Sequence, residues 1–144
     1  MLKTFFTKYK LDLLAIILLS LTGPLFFYKL GQTSLVSWDE AWYAEIARNI
    51  LKTGDLFNLI WNGHPYYDHP PVGFWLIAAT FKIFGINEFW ARFAPALSGI
   101  ASLFIVYFLG KELFNRAVGF ISALALSSSL WFLYRARSGN LDLV

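Results

Sequence analysis

The sequence predicts an all-α membrane protein with three transmembrane helices and two extracytoplasmic helices beside the membrane. Of its 144 residues, 58% are hydrophobic and 19% aromatic, whereas a soluble domain averages about 45–50% apolar residues. The apolar residues form blocks, and several blocks are long enough to span a bilayer. We therefore treat residues 1–144 as part of one multi-pass domain of the cell membrane.

Composition and charge exclude several classes of function. The chain has no cysteine, which excludes disulfides and thiolate metal sites. Its net charge of +3 comes from scattered residues, and no basic run is long enough for nucleic-acid binding. The sequence ends in "GNLDLV", where a new apolar run begins, so we expect the chain to be the front portion of a longer protein.

The first transmembrane helix is predicted at residues 11–30, about the length that a spanning helix needs. The alternative is a cleaved signal peptide. Against it, the apolar stretch continues past Gly23 and Pro24, and no A-x-A-like cleavage site follows. Three flanking lysines place the N-terminus in the cytoplasm by the positive-inside rule: Lys3, Lys8 and Lys10.

Residues 31–70 form a polar, aromatic outer loop, and it contains a predicted amphipathic helix at 38–52. Ser37 and Glu40 fit a capping box, in which Ser37 caps the helix and Glu40 bonds back to it. Asp39 would then only complement the helix dipole. Thr53-Gly54 ends the helix, and one apolar stripe suits a helix in the membrane interface: Tyr43, Ala47, Ile50 and Leu51.

The second half of the chain holds three further apolar segments. Residues 72–85 are short and interrupted by Lys82, so we expect a helix on the outer membrane surface. Residues 88–110 and 117–134 are long enough to span. Small residues in these two segments favour close helix packing: Gly99, Ala101, Ser102, Gly119, Ser122, Ala123 and Ala125.

The position of residues 72–85 decides the topology. If they lie on the outer surface, Lys111 and Arg116 form a cytoplasmic turn, and the chain returns near Asp142 to the face that carries Asp39. If they span, the bilayer separates Asp142 from Asp39. Segment length, Lys82 and the positive turn favour the first arrangement.

Three polar stretches meet on one face in the favoured arrangement. Asp39 and Glu40 open the first helix of the loop. "HPYYDHPP" supplies Tyr66, Asp68 and His69, and Asp68 can keep His69 charged. "YRARSGNLD" supplies Arg137 and Asp142. Each stretch also has a purely structural interpretation: an aromatic belt for the tyrosines, snorkelling for the arginines and helix capping for Asp142.

Sugar transfer from a lipid phosphate needs this set of groups where lipid meets water. A carboxylate accepts the proton of the attacking hydroxyl, and cationic groups stabilise the departing phosphate. Two carboxylates can divide the roles of base and stabiliser of the positive sugar ring. Outside the cytoplasm no nucleotide sugar is available, so the activated sugar must arrive on a lipid carrier.

Four motifs in order resemble the N-terminal part of the GT-C membrane glycosyltransferases. They are "WDEAWYAEIARNIL", "YYDHPPVGFWL", "FGINEFWARFAPAL" and "ARSGNLDLV". The chain is most similar to the aminoarabinose transferase-like and protein O-mannosyltransferase-like group, and the resemblance covers residues 35–144. It implies a polyprenyl-phosphate sugar donor, inversion at the anomeric carbon and an extracytoplasmic active site. The acceptor would be a hydroxyl of a lipid, a glycan or a protein.

The resemblance also implies roles for individual residues. Asp39 matches the catalytic acid of the family, with Glu40 beside it, and Asp142 matches the acid of the second outer loop. Tyr43 and Tyr66 match residues near the donor phosphate, and we expect that role also for Asp68, His69 and Arg137. The resemblance further implies that this chain alone is inactive, because such enzymes need many more helices.

Two positions depart from the aminoarabinose pattern. Asp68-His69 stands where Glu-Lys is usual, and Trp42 stands where Arg is usual. Because His binds phosphate well only when protonated, we expect donor affinity to depend on pH. The departures argue against aminoarabinose in particular but not against a lipid-phosphate sugar.

Alternatives remain for the cofactor and the function. Five side chains can together hold a divalent cation, although we do not predict a metal: Asp39, Glu40, Asp68, His69 and Asp142. The rival functions are a non-catalytic membrane subunit or lipid-carrier binding protein, and a flippase or transporter. A transporter would place its carboxylates at mid-membrane depth.

Overall fold

The computed structural model describes residues 2–36 and 38–141, which form six helices and one small hairpin. Ser37 and Asp142 lie outside the described residues, so the predicted cap and the second acidic residue are not seen. The elements in chain order are α1 (Leu2–Phe27), α2 (Asp39–Thr53), β1 (Ile60–Trp61), β2 (His64–Pro65), α3 (Val72–Phe84), α4 (Glu88–Leu113), α5 (Arg116–Ser128) and α6 (Leu130–Ala136).

Two apolar cores divide the molecule into a helical bundle and a surface layer. The bundle consists of α1, α4, α5 and α6, with Phe26, Leu103 and Tyr107 among its buried residues. The surface layer consists of α2, α3 and the hairpin, with Ile46 and Phe74 fully buried between them. Helix α4 belongs to the bundle and also packs against α3, so it connects the two cores.

Local signals in the sequence explain where the helices begin and end. Gly54 adopts a left-handed conformation, φ 73°, and its N–H bonds to Ile50 at the end of α2, as predicted. Gly85 ends α3 with a positive φ of 92° but an extended ψ of 162°, and its N–H bonds to Phe81. At the starts of α4 and α5, the side chains of Asn87 and Asn115 each accept a backbone N–H, at 3.0 Å, as helix-capping residues do.

Three transmembrane helices are not confirmed. Among the described residues, α4 alone is long and apolar enough to cross a bilayer, and the α5–α6 pair adds a second span only if the two are counted together. The predicted span at 117–134 is broken at Ser129, where the axis bends by 70°. Ser129 is extended there, ψ 114°, and its hydroxyl caps α6 through the N–H of Phe132, so the break has local hydrogen-bond support.

The loop at residues 31–70 contains a β-hairpin, which the all-α prediction did not include. β1 and β2 pair antiparallel through the Asn62-Gly63 turn, and both turn residues have positive φ, 49° and 80°. Asn-Gly is the strongest short hairpin signal. The apolar stripe of α2 packs on α3 and this hairpin, so it faces protein and not the lipid interface.

Glycines let the bundle helices approach closely, as the small-residue pattern predicted. A Cβ built on Gly99 would lie 2.7 Å from the Ala136 Cβ, and one built on Gly119 would lie 2.5 Å from the Tyr107 carbonyl oxygen. Contact with backbone atoms leaves no room for a side chain at Gly119. α4 therefore meets α5 at nearly backbone-to-backbone distance.

Candidate active site

Asp39 is the first residue of α2 and lines an open cavity of about 570 Å³ between the surface layer and the bundle. The side chain is half-buried. Its Oδ2 accepts a hydrogen bond of 3.2 Å from the Nδ2 of Asn140, which is itself buried. The amide fixes one carboxylate oxygen and leaves the carboxylate at the wall of the cavity.

Cationic side chains line the same cavity. Lys29 follows the end of α1, and Arg135 and Arg137 come from the end of α6. The Nη2 of Arg137 donates to the Tyr28 carbonyl at 2.5 Å, which ties the end of α6 to the end of α1. Three cations beside one accessible carboxylate make this cavity suitable for an anionic ligand.

Glu40 lies next to Asp39 but in a different environment. It is 6% exposed, and Arg92 of α4 binds it in a bidentate pair with distances of 2.8 and 3.0 Å. Burial by itself raises the pKa of Glu40, but hydrogen bonds from Arg92, Val36 and Gly139 and the charge of Arg92 outweigh burial and lower it. Glu40 is therefore a fully engaged carboxylate, and its predicted catalytic role stays a prediction.

His69 belongs to a second cluster, which it forms with Tyr43 of α2 and Tyr66. Its Nε2 lies 3.2 Å from the Tyr43 hydroxyl, and its Nδ1 lies 2.5 Å from the Tyr66 hydroxyl. The rings of Tyr66 and His69 are parallel to within 2°. Tyrosine hydroxyls, and not Asp68, thus engage both imidazole nitrogens.

Electrostatics connect the tyrosine–histidine cluster to the cavity. The pKa of Tyr66 is raised to about 12, first by burial and then by the charges of Tyr43, Asp68 and Asp39. The Asp39 carboxylate is thus close enough to act on the Tyr66 hydroxyl. Tyr43 is one helical turn after Asp39, so α2 carries one group of each cluster.

The predicted residues fall into two sets. Asp39, Glu40 and Arg137 line the cavity, whereas Tyr43, Tyr66 and His69 form the second cluster, beside the exposed Asp68. Among residues 2–36 and 38–141, no group of three or more acidic or histidine side chains is placed to hold a metal ion.

Comparison with known proteins assigns the chain to a family. A family described as dolichyl-phosphate-mannose-protein mannosyltransferase matches residues 68–144, which is more than half of the chain. The chain belongs to that mannosyltransferase family. This confirms the resemblance that the four motifs indicated.

Relatives of this mannosyltransferase-family chain include named transferases. It is 36% identical over 133 residues to the undecaprenyl phosphate-alpha-4-amino-4-deoxy-L-arabinose arabinosyl transferase of Pseudomonas savastanoi, covering 90% of this chain and 24% of that protein. An uncharacterized protein of Aquifex aeolicus is 34% identical over 114 residues, or 78% of this chain and 23% of that protein.

Two solved structures share the arrangement of the helices. They are ArnT of Cupriavidus metallidurans in the apo state and ArnT bound to undecaprenyl phosphate. Each superposes with a TM-score of 0.81 at 28% identity and covers 89% of this chain and 24% of ArnT. This mannosyltransferase-family chain thus spans about a quarter of the length of the relatives it matches.

Sequence reasoning missed three residues around Asp39 and considered a fourth, Arg135, only as a snorkelling side chain. Arg92 carried a readable signal, because a charged residue within an apolar span is a functional candidate by default and needs a partner. Lys29 and Asn140 carried no comparable signal, since single polar residues near helix ends are common. Only the fold shows that they share one cavity with Asp39.

Proposed function

We propose that the complete protein is a glycosyltransferase that moves a sugar from a polyprenyl-phosphate donor to an acceptor hydroxyl. The observation that carries this proposal is the position of Asp39, a half-buried carboxylate on the wall of a cavity lined by Lys29, Arg135 and Arg137. The relative bound to undecaprenyl phosphate, with the same arrangement of helices, supports a lipid-phosphate donor.

In the proposed reaction Asp39 is the base. The acceptor oxygen attacks the anomeric carbon and gives its proton to Asp39, and the bond from that carbon to the phosphate oxygen breaks. The polyprenyl phosphate leaves with the bonding electrons, and the cavity cations stabilise its charge. Attack opposite the leaving group inverts the anomeric configuration, which NMR of the product measures directly.

The second cluster gives the donor an additional contact. Tyr43, Tyr66 and His69 form a cluster near Asp39, and their hydroxyl and imidazole groups suit a phosphate or a sugar. We propose that they contact the donor, together with Asp68 and Arg137. Asp142 is proposed to act as the second acid, as the family resemblance implies.

The charges also support a membrane orientation. Arg92 and Lys111 are 19 positions apart on α4, or about 28 Å along the helix, close to the ~30 Å of a bilayer hydrocarbon core. Asn140 contacts Asp39, as expected if α3 lies on the outer surface and not if it spans. We propose that the N-terminus is cytoplasmic and that Asp39 faces outward.

Asp39→Asn tests the catalytic role. In the complete protein we expect turnover of a polyprenyl-phosphate sugar to fall by at least about 10³-fold, because an amide cannot accept the proton. Binding of undecaprenyl phosphate should persist, since the cations are unchanged. Unchanged turnover would favour the rival, a non-catalytic subunit or a lipid-carrier binding protein.

Single cysteines test the orientation, because the chain has no cysteine of its own. Lys82 on α3 and Glu112 on α4 are both exposed. A membrane-impermeant maleimide should label Lys82→Cys in intact cells, whereas Glu112→Cys should need permeabilised cells. The reverse labelling would invert the proposed topology.

We also propose that this chain alone does not turn over. The reason is that it matches only about a quarter of each relative's length, so most of a homologous enzyme has no counterpart in it. Assaying this chain beside the complete protein, at equal concentration and with the same donor, tests the point. Turnover by the chain alone would contradict it.

A further inference from the structure

The guanidinium of Arg92 uses every donor that it has. It is 4% exposed, and its Nε and Nη2 bind the two oxygens of Glu40. The three remaining N–H groups reach backbone carbonyls of the loop between α1 and α2, at 2.8, 2.9 and 3.0 Å: Leu30, Thr33 and Ser34. Five donors therefore meet five acceptors, which is the full capacity of an arginine.

The carboxylate of Glu40 is equally saturated. Oε1 accepts from Arg92 Nε and from the Gly139 N–H at 2.6 Å. Oε2 accepts from Arg92 Nη2 and from the Val36 N–H at 2.9 Å. An ionised carboxylate has about four acceptor positions, so this carboxylate has none left for a substrate proton.

The pair joins the two segments that carry the Asp39 contact. Glu40 follows Asp39 on α2, and Gly139 precedes Asn140 after α6. Because Glu40 binds the Gly139 N–H, it holds the two segments together. The Asp39–Asn140 hydrogen bond lies next to this contact, since each partner is the chain neighbour of Glu40 or Gly139. Arg92 anchors this junction to α4, the most central helix of the fold.

We propose that Arg92, Glu40 and Asn140 are positioning residues that hold the Asp39 carboxylate in the geometry for proton transfer. This inference rests on the proposed function. Arg92 and Glu40 fix the backbone of the α1–α2 loop and of Gly139, and so position Asp39 indirectly. Asn140 binds the Asp39 carboxylate directly. Glu40 itself takes no proton in the reaction, which differs from the catalytic role that the sequence analysis expected for it.

Glu40→Gln and Arg92→Lys in the complete protein test the pair. All four partners of Glu40 are donors, so a glutamine would direct its own NH₂ group at two of them, and a lysine offers three donors in place of five. We expect kcat for a polyprenyl-phosphate sugar to fall about 10–100-fold, as a misplacement of about 1 Å does. The donor KM should stay within about threefold, with an unchanged pH profile of kcat.

Matched controls lie on the exposed face of α2. Glu45 and Arg48 pair with each other at 3.3 Å, and their side chains are 40% and 49% exposed. Glu45→Gln and Arg48→Lys repeat the same chemical changes away from the cavity, so kcat should stay within about twofold of wild type.

Asn140→Ala tests the inference without touching the ion pair, so it remains informative if Glu40→Gln fails to fold. Binding of undecaprenyl phosphate and the unfolding temperature report folding. We expect kcat to fall about tenfold, with lipid binding retained. Wild-type kcat in folded Asn140→Ala, or in folded Glu40→Gln and Arg92→Lys, would overturn the inference.

Other outcomes separate this inference from the proposed function. If Glu40→Gln is folded and as inactive as Asp39→Asn, Glu40 takes part in the chemistry and the positioning role is wrong. If Asp39→Asn keeps full turnover, or the complete wild-type protein transfers no sugar from a polyprenyl-phosphate donor, the proposed function fails, and the positioning inference fails with it.

Discussion

Glu40 of α2 and Asp12 of α1 are both paired carboxylates, and they contact opposite ends of α4. The two ion pairs differ in burial and in the groups that they connect. Glu40 is buried and binds one arginine and two backbone N–H groups. Asp12 accepts from the Tyr107 hydroxyl and pairs with Lys111 and Arg116 at 3.2 and 3.0 Å.

The difference lies in what each carboxylate connects. Glu40 connects the backbone of three segments to α4, and its partner is 4% exposed. Asp12 connects side chains, and the side chains of Lys111 and Arg116 are 24% and 37% exposed. We therefore expect Glu40 to determine the geometry of a site, and Asp12 to add modest stability between helices that already pack closely.

Arg92→Met should give the largest effect. It leaves the Glu40 carboxylate buried without its cation and three loop carbonyls without their donor, and breaking one side of a buried pair costs about 3–5 kcal/mol. Chemical unfolding of the complete protein in mixed micelles measures this cost. Adding Glu40→Leu should recover part of it, because the unpaired charge is gone. A cost below about 1 kcal/mol would mean that the two ends of α4 are equivalent.

Lowering the pH should remove the contribution of ionised Glu40 to the free energy of unfolding. Its pKa is lowered from the ordinary value of 4.5 in the folded state, so its stabilising effect is fully present above that value. The effect is lost as pH falls through the lower folded-state pKa. The free-energy gap between wild type and Glu40→Gln should therefore shrink from pH 7 to pH 3. A free-energy difference that does not change with pH would show that ionisation of Glu40 does not stabilise the Glu40 end of α4.

Gly119→Ala should have an intermediate effect at the Asp12 end. The added Cβ would meet the Tyr107 carbonyl oxygen at 2.5 Å and the Lys111 nitrogen at 2.8 Å, and overpacking costs about 1–3 kcal/mol. Gly23→Ala is the matched control, because its Cβ would lie 4.0 Å from the nearest atom. There alanine gains helix propensity, but the ring of Pro24 disfavours the α conformation of the residue before it, so we expect a net change below about 1 kcal/mol. Equal effects of the two variants would refute the close approach of α4 and α5.

These contrasts also show how far the sequence alone could lead. The bounds of α2 and α3 were predicted to within about one residue, because Gly54 and Gly85 end these helices through local backbone conformation. The break at Ser129 was not predicted, since the apolar pattern continues across it and carries no information about ψ. The residues of the tyrosine–histidine cluster were predicted as site residues, but the hydrogen bonds of both tyrosine hydroxyls to His69 were not.

The Glu40–Arg92 pair was beyond prediction for a different reason. The two residues are 52 positions apart, and the capping-box pattern supplied a sufficient local role for Glu40. The structure places Trp38 at the N-cap of α2 without a side-chain cap, and the nearby backbone N–H that Glu40 accepts is that of Val36. A local motif can thus mark the start of a helix and still hide the tertiary contacts of its acidic residue.

Asp12→Asn should have the smallest effect of the four. An asparagine keeps the shape and still accepts from Tyr107, so the loss is confined to the charge attraction of Lys111 and Arg116. Partly exposed pairs contribute about 1 kcal/mol or less, and salt screens them. The unfolding free energy should therefore fall by about 1 kcal/mol at low salt and by less at high salt. A loss as large as that of Arg92→Met, and insensitive to salt, would show that solvent exposure does not explain the difference between the two ends of α4.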